Sequence, residues 1–199
     1  MARIKQKEHQ QVMEQTRQRL LKAAALEFAH AGYPGANINT ISTAAGYAKG
    51  TIYNYFPSKQ ALLMALIDAT AQEHLDFMLE QSRPEVDPSR RLERFFQAGF
   101  EFVTLYFAKA SVMFNSLNGS DETLKAHIFD AYRPLIQFLA GEILVPGIEQ
   151  GVFRPVDADS TALLLMTIYL GTTSQHDAQG HAFLDPLQVA GLVLNGLKF

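Results

Sequence analysis

Side chains that could bind nucleic acid lie close together in one short segment of this sequence, residues 49–55. An ammonium group and phenol hydroxyls can bind phosphates, while ammonium and carboxamide groups can also form hydrogen bonds to base edges. One short helix that carries all of these groups could both dock on DNA and read it. The polar members of the segment are Lys49, Thr51, Tyr53, Asn54 and Tyr55.

The residues around this segment predict two short helices joined by a turn, which is the layout of a helix-turn-helix. Asn37 is a suitable N-cap for the first helix, and Gly46 supplies the left-handed turn residue between the two. Pro57 marks the end of the second helix. Apolar residues are spaced so that they would face a common core, namely Ile38, Ile41, Ala44, Ala45, Ile52 and Phe56.

The rest of the chain also predicts helices. We find no convincing strand-like alternation of apolar and polar residues, so we expect an all-α fold. A first helix is expected over about 16–31, with Gly32 closing it, and it would complete a three-helix head. Ser58 is a good N-cap for a helix over about 59–81, which would leave the head and enter the body of the protein.

Charge is distributed unevenly along the 199 residues, whose net charge is −3. Residues 1–59 hold eight Lys and Arg against three Asp and Glu, a net charge of +5, whereas residues 60–199 hold nine against seventeen, a net charge of −8. This asymmetry suggests a basic reading head on an acidic body, although a simple solubility pattern would look the same. Basic residues near the N-terminus could contact phosphates or could lack any role, namely Arg3, Lys5, Lys7, Arg17 and Arg19.

Capping residues and prolines divide the body into further helices. Asp87 and Pro88 form an N-cap and first-turn pair at the start of a helix with a broad aromatic face. A long helical stretch is expected over 121–149. Pro134 and Pro146 should kink or divide it, because proline lacks the N–H that the helix requires.

The last two predicted helices are apolar around most of their circumference. No Asp, Glu, Lys or Arg occurs from Ser160 to Gln175, and Lys198 is the sole such residue from Pro186 onward. Helices of this kind must be buried on more than one side. One solution is a homodimer in which both helices pair with their symmetry mates, and the alternative is an ordinary pair of core helices.

Residues 40–63 read TISTAAGYAKGTIYNYFPSKQALL. This stretch resembles the head of the tetracycline-repressor (TetR) family, whose pattern runs I-A-x-x-A-G-V-S-x-G-x-x-Y-x-Y-F-x-x-K-x-x-L. The resemblance is specific because it extends over the whole motif. Its signature residues here are Tyr53, Tyr55, Phe56 and Lys59.

Three positions depart from the family pattern. Ser42 stands in place of Ala, Tyr47 in place of Val, and Ala48 in place of the Ser or Thr that caps the recognition helix. Loss of that cap would cost about 1 kcal/mol unless another group replaces it. In the body, the sequence GIEQGVFRP at 147–155 is similar to the family's usual lead-in to its dimerisation helix.

The resemblance implies a ligand-responsive transcriptional regulator, most simply a repressor, that binds a palindromic operator as a homodimer and is released by a small-molecule effector. It implies a helix-turn-helix DNA-binding domain at residues 1–59 and an effector-binding and dimerisation domain at residues 60–199. A DNA-binding activator or architectural protein without an effector is the open alternative. We expect no enzyme, because no nucleophile and base or paired carboxylates stand on a recognisable scaffold.

The resemblance also implies which residues face DNA. Residues 49–51 would reach base edges, while Tyr53, Tyr55 and Lys59 would contact phosphates. The Tyr53 ring could instead pack in the head, and Tyr47 could either approach a phosphate or serve as a packing aromatic. The full predicted DNA-binding set is Asn39, Thr40, Tyr47, Lys49, Gly50, Thr51, Tyr53, Asn54, Tyr55 and Lys59.

Aromatic, methionine and polar residues at helical spacing in the body are candidates for an effector pocket, although such residues are more often core than ligand contacts. Their composition favours an apolar or aromatic effector oriented by a few hydrogen bonds. The predicted ligand-binding residues are Phe102, Tyr106, Met113, Phe114, Asn115, His127, Tyr132, Met166 and Tyr169.

Other classes of site are not expected. The chain has no cysteine, which excludes disulfides and thiolate zinc sites and fits a reducing compartment. His176, Asp177 and His181 fall in a Gly-containing loop, for which a solvated loop is expected, with no metal and no other cofactor. No apolar run approaches the ~20 residues that span a bilayer, and no signal-peptide core is evident, so we expect a cytoplasmic protein.

Overall fold

The computed structural model describes residues 2–177, 179 and 181–198, with side chains from residue 6 onward. Its regular structure is helical apart from one isolated antiparallel bridge between His176 and Ala182. The all-α prediction is therefore confirmed. The elements are α1 (Ala2–Gly35), α2 (Ile38–Ala44), a 3₁₀ turn (Thr51–Asn54), α3 (Lys59–Ser82), α4 (Pro88–Leu105), α5 (Phe107–Leu117), α6 (Glu122–Phe138), a π segment (Leu139–Leu144), α7 (Val145–Glu149), α8 (Ala158–Thr173) and α9 (Pro186–Leu197).

Helix α1 begins at Ala2, so the predicted start near Thr16 was wrong. That prediction relied on an apolar stripe, which the first fifteen residues lack. Their Gln, Glu, Lys and Arg side chains favour a helix by intrinsic propensity, and residues 6–15 are exposed to solvent. The predicted break at Gly32 is present, with a φ of 67°. The predicted inward stripe is buried, namely Leu21, Ala24, Ala25 and Phe28.

Helix α2 and the 3₁₀ turn form the predicted helix-turn-helix, but its second element is a single short turn. Asn37 caps α2 by accepting the N–H of Asn39 at 2.9 Å. Gly46 and Gly50 have φ values of 84° and 91°, so the chain adopts a left-handed conformation twice before the next element begins. Gly50 offers no side chain to cap that element, which is limited to Thr51–Asn54.

Helix α3 leaves the head and runs through the body, as predicted. Ser58 caps it by accepting the N–H of Ala61 at 3.0 Å. Helix α3 packs against α1 in the head and against α4 and α6 in the body. It therefore links the two predicted domains mechanically.

Helices α4, α6 and α8 of the body begin at aspartate caps. The carboxylate of Asp87 accepts the N–H of Arg90 at 2.9 Å, and Pro88 occupies the first turn of α4, as predicted. Asp121 and Asp157 cap α6 and α8 in the same way. Each cap satisfies a backbone donor that the helix itself leaves unpaired.

The predicted distortion of the stretch 121–149 takes the form of the π segment. There the N–H of Val145 bonds to the carbonyl of Ala140, five residues back. Pro146 follows in the first turn of α7, where proline is tolerated because that N–H has no helical partner. Pro134 lies inside α6 without ending it.

Helices α8 and α9 each bury one side and expose an apolar side, and we call these two exposed sides the outer faces. On α8, Tyr169 is buried, whereas Leu163 and Leu164 are 44% and 59% exposed. On α9, Leu187 and Leu192 are 54% and 76% exposed. One protomer therefore leaves both outer faces uncovered, unlike a pair of central core helices. Despite this apolarity, no helix in the described ranges is suited to cross a membrane.

Candidate DNA-binding surface and effector cavity

The predicted DNA-binding residues lie on α2, on the 3₁₀ turn and on the loops beside them. Half of the set is exposed, namely Asn39, Thr40, Lys49, Tyr53 and Asn54. The Tyr53 side chain is 53% exposed and is not part of the hydrophobic core. The other half is partly buried, namely Tyr47, Gly50, Thr51, Tyr55 and Lys59.

Ser42 holds the turn that precedes the 3₁₀ element. Its side chain is fully buried, and its hydroxyl donates to the carbonyl of Ala48 at 2.7 Å. The N–H of Tyr47 donates back to the carbonyl of Ser42 at 2.9 Å. An alanine at this position could not form the first of these bonds. Ser42 thus fixes the turn at the point where Ala48 supplies no cap.

Tyr47 braces the same turn against α1. Its hydroxyl donates to Oγ1 of Thr16 at 3.1 Å, and Thr16 donates onward to the carbonyl of Val12 at 3.0 Å. The Tyr47 ring is half-buried against the core. Since its proton is engaged with Thr16, this hydroxyl is suited to positioning the turn rather than to donating to a phosphate.

Lys59 is engaged inside the head. Its ammonium group donates to the carbonyls of Pro34 at 3.0 Å and Ala36 at 3.1 Å, and it lies 4.9 Å from the centre of the Tyr33 ring. These carbonyls follow the break in α1, so a positive charge closes the end of that helix. Two of the three donors of the ammonium group are therefore occupied.

Two cations of α1 lie beside the predicted surface. Arg19 and Lys22 line a groove between α1 and α2 together with Thr40. Arg19 was a sequence candidate, whereas Lys22 was missed. Their spacing of three residues, which puts both on one face of a helix, was the available signal. The side chains of Arg3 and Lys5 lie outside the described residues.

A cavity of about 160 Å³ lies in the body, between α3, α4, α5, α6 and α8. No Asp, Glu, Lys or Arg lines it among the described residues. Three exposed side chains, Phe129, Leu163 and Thr167, mark its opening beside the outer face of α8. Six of the nine predicted ligand-binding residues line it, namely Phe102, Met113, Phe114, Tyr132, Met166 and Tyr169.

The other three predicted ligand residues lie outside the cavity lining. Tyr106 follows the end of α4, with its ring centre 4.8 Å from that of Phe102. His127 joins α6 to α3, with its Nε2 2.8 Å from Oδ1 of Asp68. Asn115 lines a separate cleft between the head and the body.

That cleft has a volume of about 410 Å³. Because residues of α5 line both the cavity and the cleft, α5 separates the cavity from the head. Met113 on α5 lines the cavity. Its neighbours Val112 and Asn115 line the cleft, which is bounded on the head side by Phe28 and Tyr33 of α1. A change in cavity shape can therefore reach α1 through a single helix.

His74 lies at the inner wall of the cavity, between two tyrosine hydroxyls, and the sequence analysis missed it. Its Nε2 is 3.0 Å from Oη of Tyr169, and its Nδ1 is 3.4 Å from Oη of Tyr132. Its ring stacks on Phe102 with the two centres 4.1 Å apart. The signal was its position on α3, three residues after the buried Ala71, where a helix places a residue on its inward face. We call His74, Tyr132 and Tyr169 the buried triad.

Burial keeps the triad uncharged. It lowers the pKa of His74 from 6.5 to about 3, because the imidazolium form would lose its hydration. Burial also raises the pKa of the Tyr132 hydroxyl. It raises the pKa of Tyr169 well above its ordinary value, with a smaller contribution from charge on Tyr132. The cavity wall is thus polar at one point but carries no charge near neutral pH.

Comparison with known proteins connects the head to a family of regulators. The family model described as "Bacterial regulatory proteins, tetR family" matches residues 20–66. The transcriptional repressor KstR2 of Mycobacterium tuberculosis is 27% identical over 145 residues, which cover 70% of each chain. The residues that match the family model include the helix-turn-helix described above.

Two solved structures share the fold over most of this chain, including the body. The fatty acid degradation regulator FadR from Bacillus halodurans is 24% identical with a TM-score of 0.77, over 91% of this chain and 99% of that one. FadR from Bacillus subtilis, in complex with stearoyl-CoA, is 22% identical with a TM-score of 0.75, over 89% of this chain and 95% of that one. The body thus has a known architecture as well as the head.

Proposed function

Since this chain belongs to the tetR family of bacterial regulatory proteins and is a transcriptional regulator rather than an enzyme, we propose that it is a repressor that a small molecule releases from its operator. The observation that carries this proposal is the apolar cavity, which lies one helix away from the DNA-binding head. A ligand in the cavity weakens DNA binding only if it prefers the conformation in which the heads are misplaced.

The exposed residues of the head support their assignment as DNA contacts. Lys49 is the proposed base-reading cation, and Gly50 and Thr51 beside it would allow close approach to the groove. Tyr53 and Asn54 are exposed and have no partner in the hydrophobic core. Asn39 and Thr40 would contact the backbone or a flanking base, as would Arg19 and Lys22 on α1. In this proposal Tyr47, Tyr55 and Lys59 act mainly by holding the surface in shape.

The outer faces of α8 and α9 support a homodimer. Four exposed leucines, Leu163, Leu164, Leu187 and Leu192, would be buried when these helices pair with those of a second copy. A Cβ on Gly171, Gly191 or Gly196 would meet no atom within 4 Å, which leaves room for a partner helix to approach. Two heads held by such a dimer would read two half-sites about one helical turn apart, and hence a palindrome.

The composition of the cavity supports an apolar effector. Its lining is aliphatic and aromatic except for the buried triad and Thr167. The Bacillus subtilis FadR structure holds an acyl thioester, so this architecture accommodates ligands with apolar parts. Helix α5 also packs against α1, so expansion of the cavity would be transmitted to α1 and would change the separation of the heads.

Selection of bound sequences from a random DNA pool at moderate salt tests this function. We expect a palindrome whose half-sites lie about 10 base pairs apart or a multiple of this. Substitution of Lys49 by Met should relax the preference at one base pair of each half-site. Bound sequences without a palindromic preference would contradict the dimeric repressor. An operator complex that no apolar small molecule dissociates would favour a DNA binder without an effector.

A further inference from the structure

The size of the cavity limits what it can enclose. A volume of about 160 Å³ is close to that of an engineered apolar cavity that binds benzene, roughly 150 Å³. The enclosed part of a ligand is therefore about the size of one six-membered ring. The rest of a larger ligand would project through the opening beside Phe129.

The uncharged lining of the cavity also limits the chemistry of the ligand that it can enclose. No Asp, Glu, Lys or Arg of the described chain lines the cavity, and His74 is neutral there. An ionised carboxylate or ammonium group would lose its hydration on entry and gain no counter-charge. The enclosed part of the ligand must therefore be uncharged.

In one arrangement of protons, every hydrogen-bond donor of the buried triad has a partner within the protein. With the ring proton on Nε2, His74 donates to Oη of Tyr169, and Tyr169 donates to the carbonyl of Gly99, 3.2 Å away. Tyr132 then donates to the unprotonated Nδ1 of His74. Every donor has a partner, and Oη of Tyr132 keeps a lone pair that can accept from a ligand hydroxyl.

In the other arrangement the ring proton is on Nδ1. His74 then donates to Oη of Tyr132, and Tyr169 donates to Nε2. The hydroxyl proton of Tyr132 becomes free to donate to a ligand carbonyl. Both arrangements are neutral, and they differ only in the nitrogen that carries the proton. Of the three triad members Tyr132 is the most exposed, at 9% against 2% for His74 and 1% for Tyr169.

We propose that the cavity recognises one uncharged oxygen, a hydroxyl or a carbonyl, on a ring-sized apolar group, through Tyr132 with His74 and Tyr169 behind it. The inference rests on the proposed function, since it names the chemical class of the effector. Tyr132 is the residue that touches the ligand, and the tautomer of His74 sets whether Tyr132 donates or accepts. Met113 and Met166 adapt the apolar walls to the shape of the ring.

Four small probes of similar shape test this proposal on the full chain by calorimetry at neutral pH: phenol, benzaldehyde, toluene and benzoate. We expect phenol and benzaldehyde to bind roughly 3- to 10-fold more tightly than toluene, the range that a net hydrogen bond supplies. Benzoate should not bind. In Tyr132→Phe the preference of phenol over toluene should disappear while toluene still binds, and in the control Tyr106→Phe the preference should persist.

Nitrogen NMR of the His74 ring separates recognition from simple packing. We expect the proton on Nε2 in the free protein and with phenol, and on Nδ1 with benzaldehyde. Equal binding of phenol and toluene, or a His74 tautomer that is the same with every probe, would overturn the oxygen recognition and leave the apolar cavity intact. Failure of all four probes to bind would overturn the ring-sized site, while the DNA selection described above judges the repressor function independently.

Discussion

Tyr169 of α8 crosses α4 at Gly99, so closely that a Cβ on Gly99 would lie 2.2 Å from Cε2 of Tyr169. At this crossing the hydroxyl of Tyr169 lies 3.2 Å from the carbonyl of Gly99 and 3.0 Å from Nε2 of His74. The absence of a side chain at Gly99 is therefore what allows Tyr169 to reach His74. The polar point in the cavity wall depends on a glycine on a different helix.

Substitution of Gly99 by Ala should displace Tyr169 and separate it from His74. We expect a loss of about 1–3 kcal/mol in the free energy of unfolding, because the added methyl group has no space. The measurement is urea unfolding at one fixed protein concentration. Gly141→Ala is the matched control, since Gly141 is exposed and a Cβ there meets nothing within 4 Å. Equal losses for the two variants would contradict the crowding at Gly99.

The stability of the fold should depend on the protonation of His74. Its pKa is 6.5 when unfolded and about 3 when buried, so between these values the unfolded chain binds one more proton at this residue. The contribution is fully present above pH 6.5 and is lost as the pH falls. Relative to His74→Gln, the wild-type free energy of unfolding should fall by about 1.4 kcal/mol per pH unit between about pH 6 and pH 4. Parallel pH profiles for the two proteins would contradict the burial of a neutral histidine.

Local sequence signals correctly predicted the features that depend only on residues close together in the chain, such as helix caps. Asn37, Ser58 and Asp87 cap their helices as predicted, because a cap involves only the residue and the two or three that follow it. The start of α1 was wrong because no apolar stripe marks its exposed first turns. That segment is helical because of the intrinsic propensity of its residues rather than because of packing. Propensity alone does not indicate the residue at which a helix begins.

Packing between distant helices could not be derived in the same way. Helical spacing indicated that Tyr132 and Tyr169 face inward, but it could not say that they meet His74, which lies 58 and 95 residues earlier. Nor could it distinguish a cavity from a filled core, since that depends on how five helices fit together. The family resemblance had the same limit at Lys59, whose hydrogen-bond partners in the head are backbone carbonyls.

The brace between Tyr47 and Thr16 can be distinguished from a DNA contact by a double-mutant cycle. Tyr47→Phe and Thr16→Val each remove the bond of 3.1 Å between their hydroxyls. If the hydroxyl of Tyr47 only positions the turn, each variant should weaken operator binding about 2- to 10-fold, and the double variant should be no weaker than either. Gel-shift titration measures this. Additive losses would indicate instead that Tyr47 contacts the DNA.

Lys49 and Lys59 should affect DNA binding in different ways, Lys49 by contacting the DNA and Lys59 by stabilising the fold of the head. Lys49 is exposed and is the proposed base-reading cation, so Lys49→Met should weaken binding to the selected operator more than binding to unrelated DNA, while leaving stability almost unchanged. Lys59 holds the carbonyls of Pro34 and Ala36. Lys59→Met should therefore destabilise the fold by about 1–3 kcal/mol and leave the slope of log affinity against log salt as it was. A reduced slope for Lys59→Met would assign that residue to a phosphate.

The outer faces of α8 and α9 should control assembly, and through it operator binding. A glutamate in place of Leu164 or Leu192, which are 59% and 76% exposed in one protomer, would be buried without a partner in a dimer. We expect sedimentation to show monomers and gel shifts to show loss of the palindromic complex. Val86→Glu is the control, because Val86 is 87% exposed in the loop before α4, outside both faces. Each variant should retain its helical circular dichroism, since the substituted side chains do not pack in the core of the protomer. A Leu192→Glu protein that stayed dimeric would exclude α9 from the interface and leave its exposed apolar face without a partner.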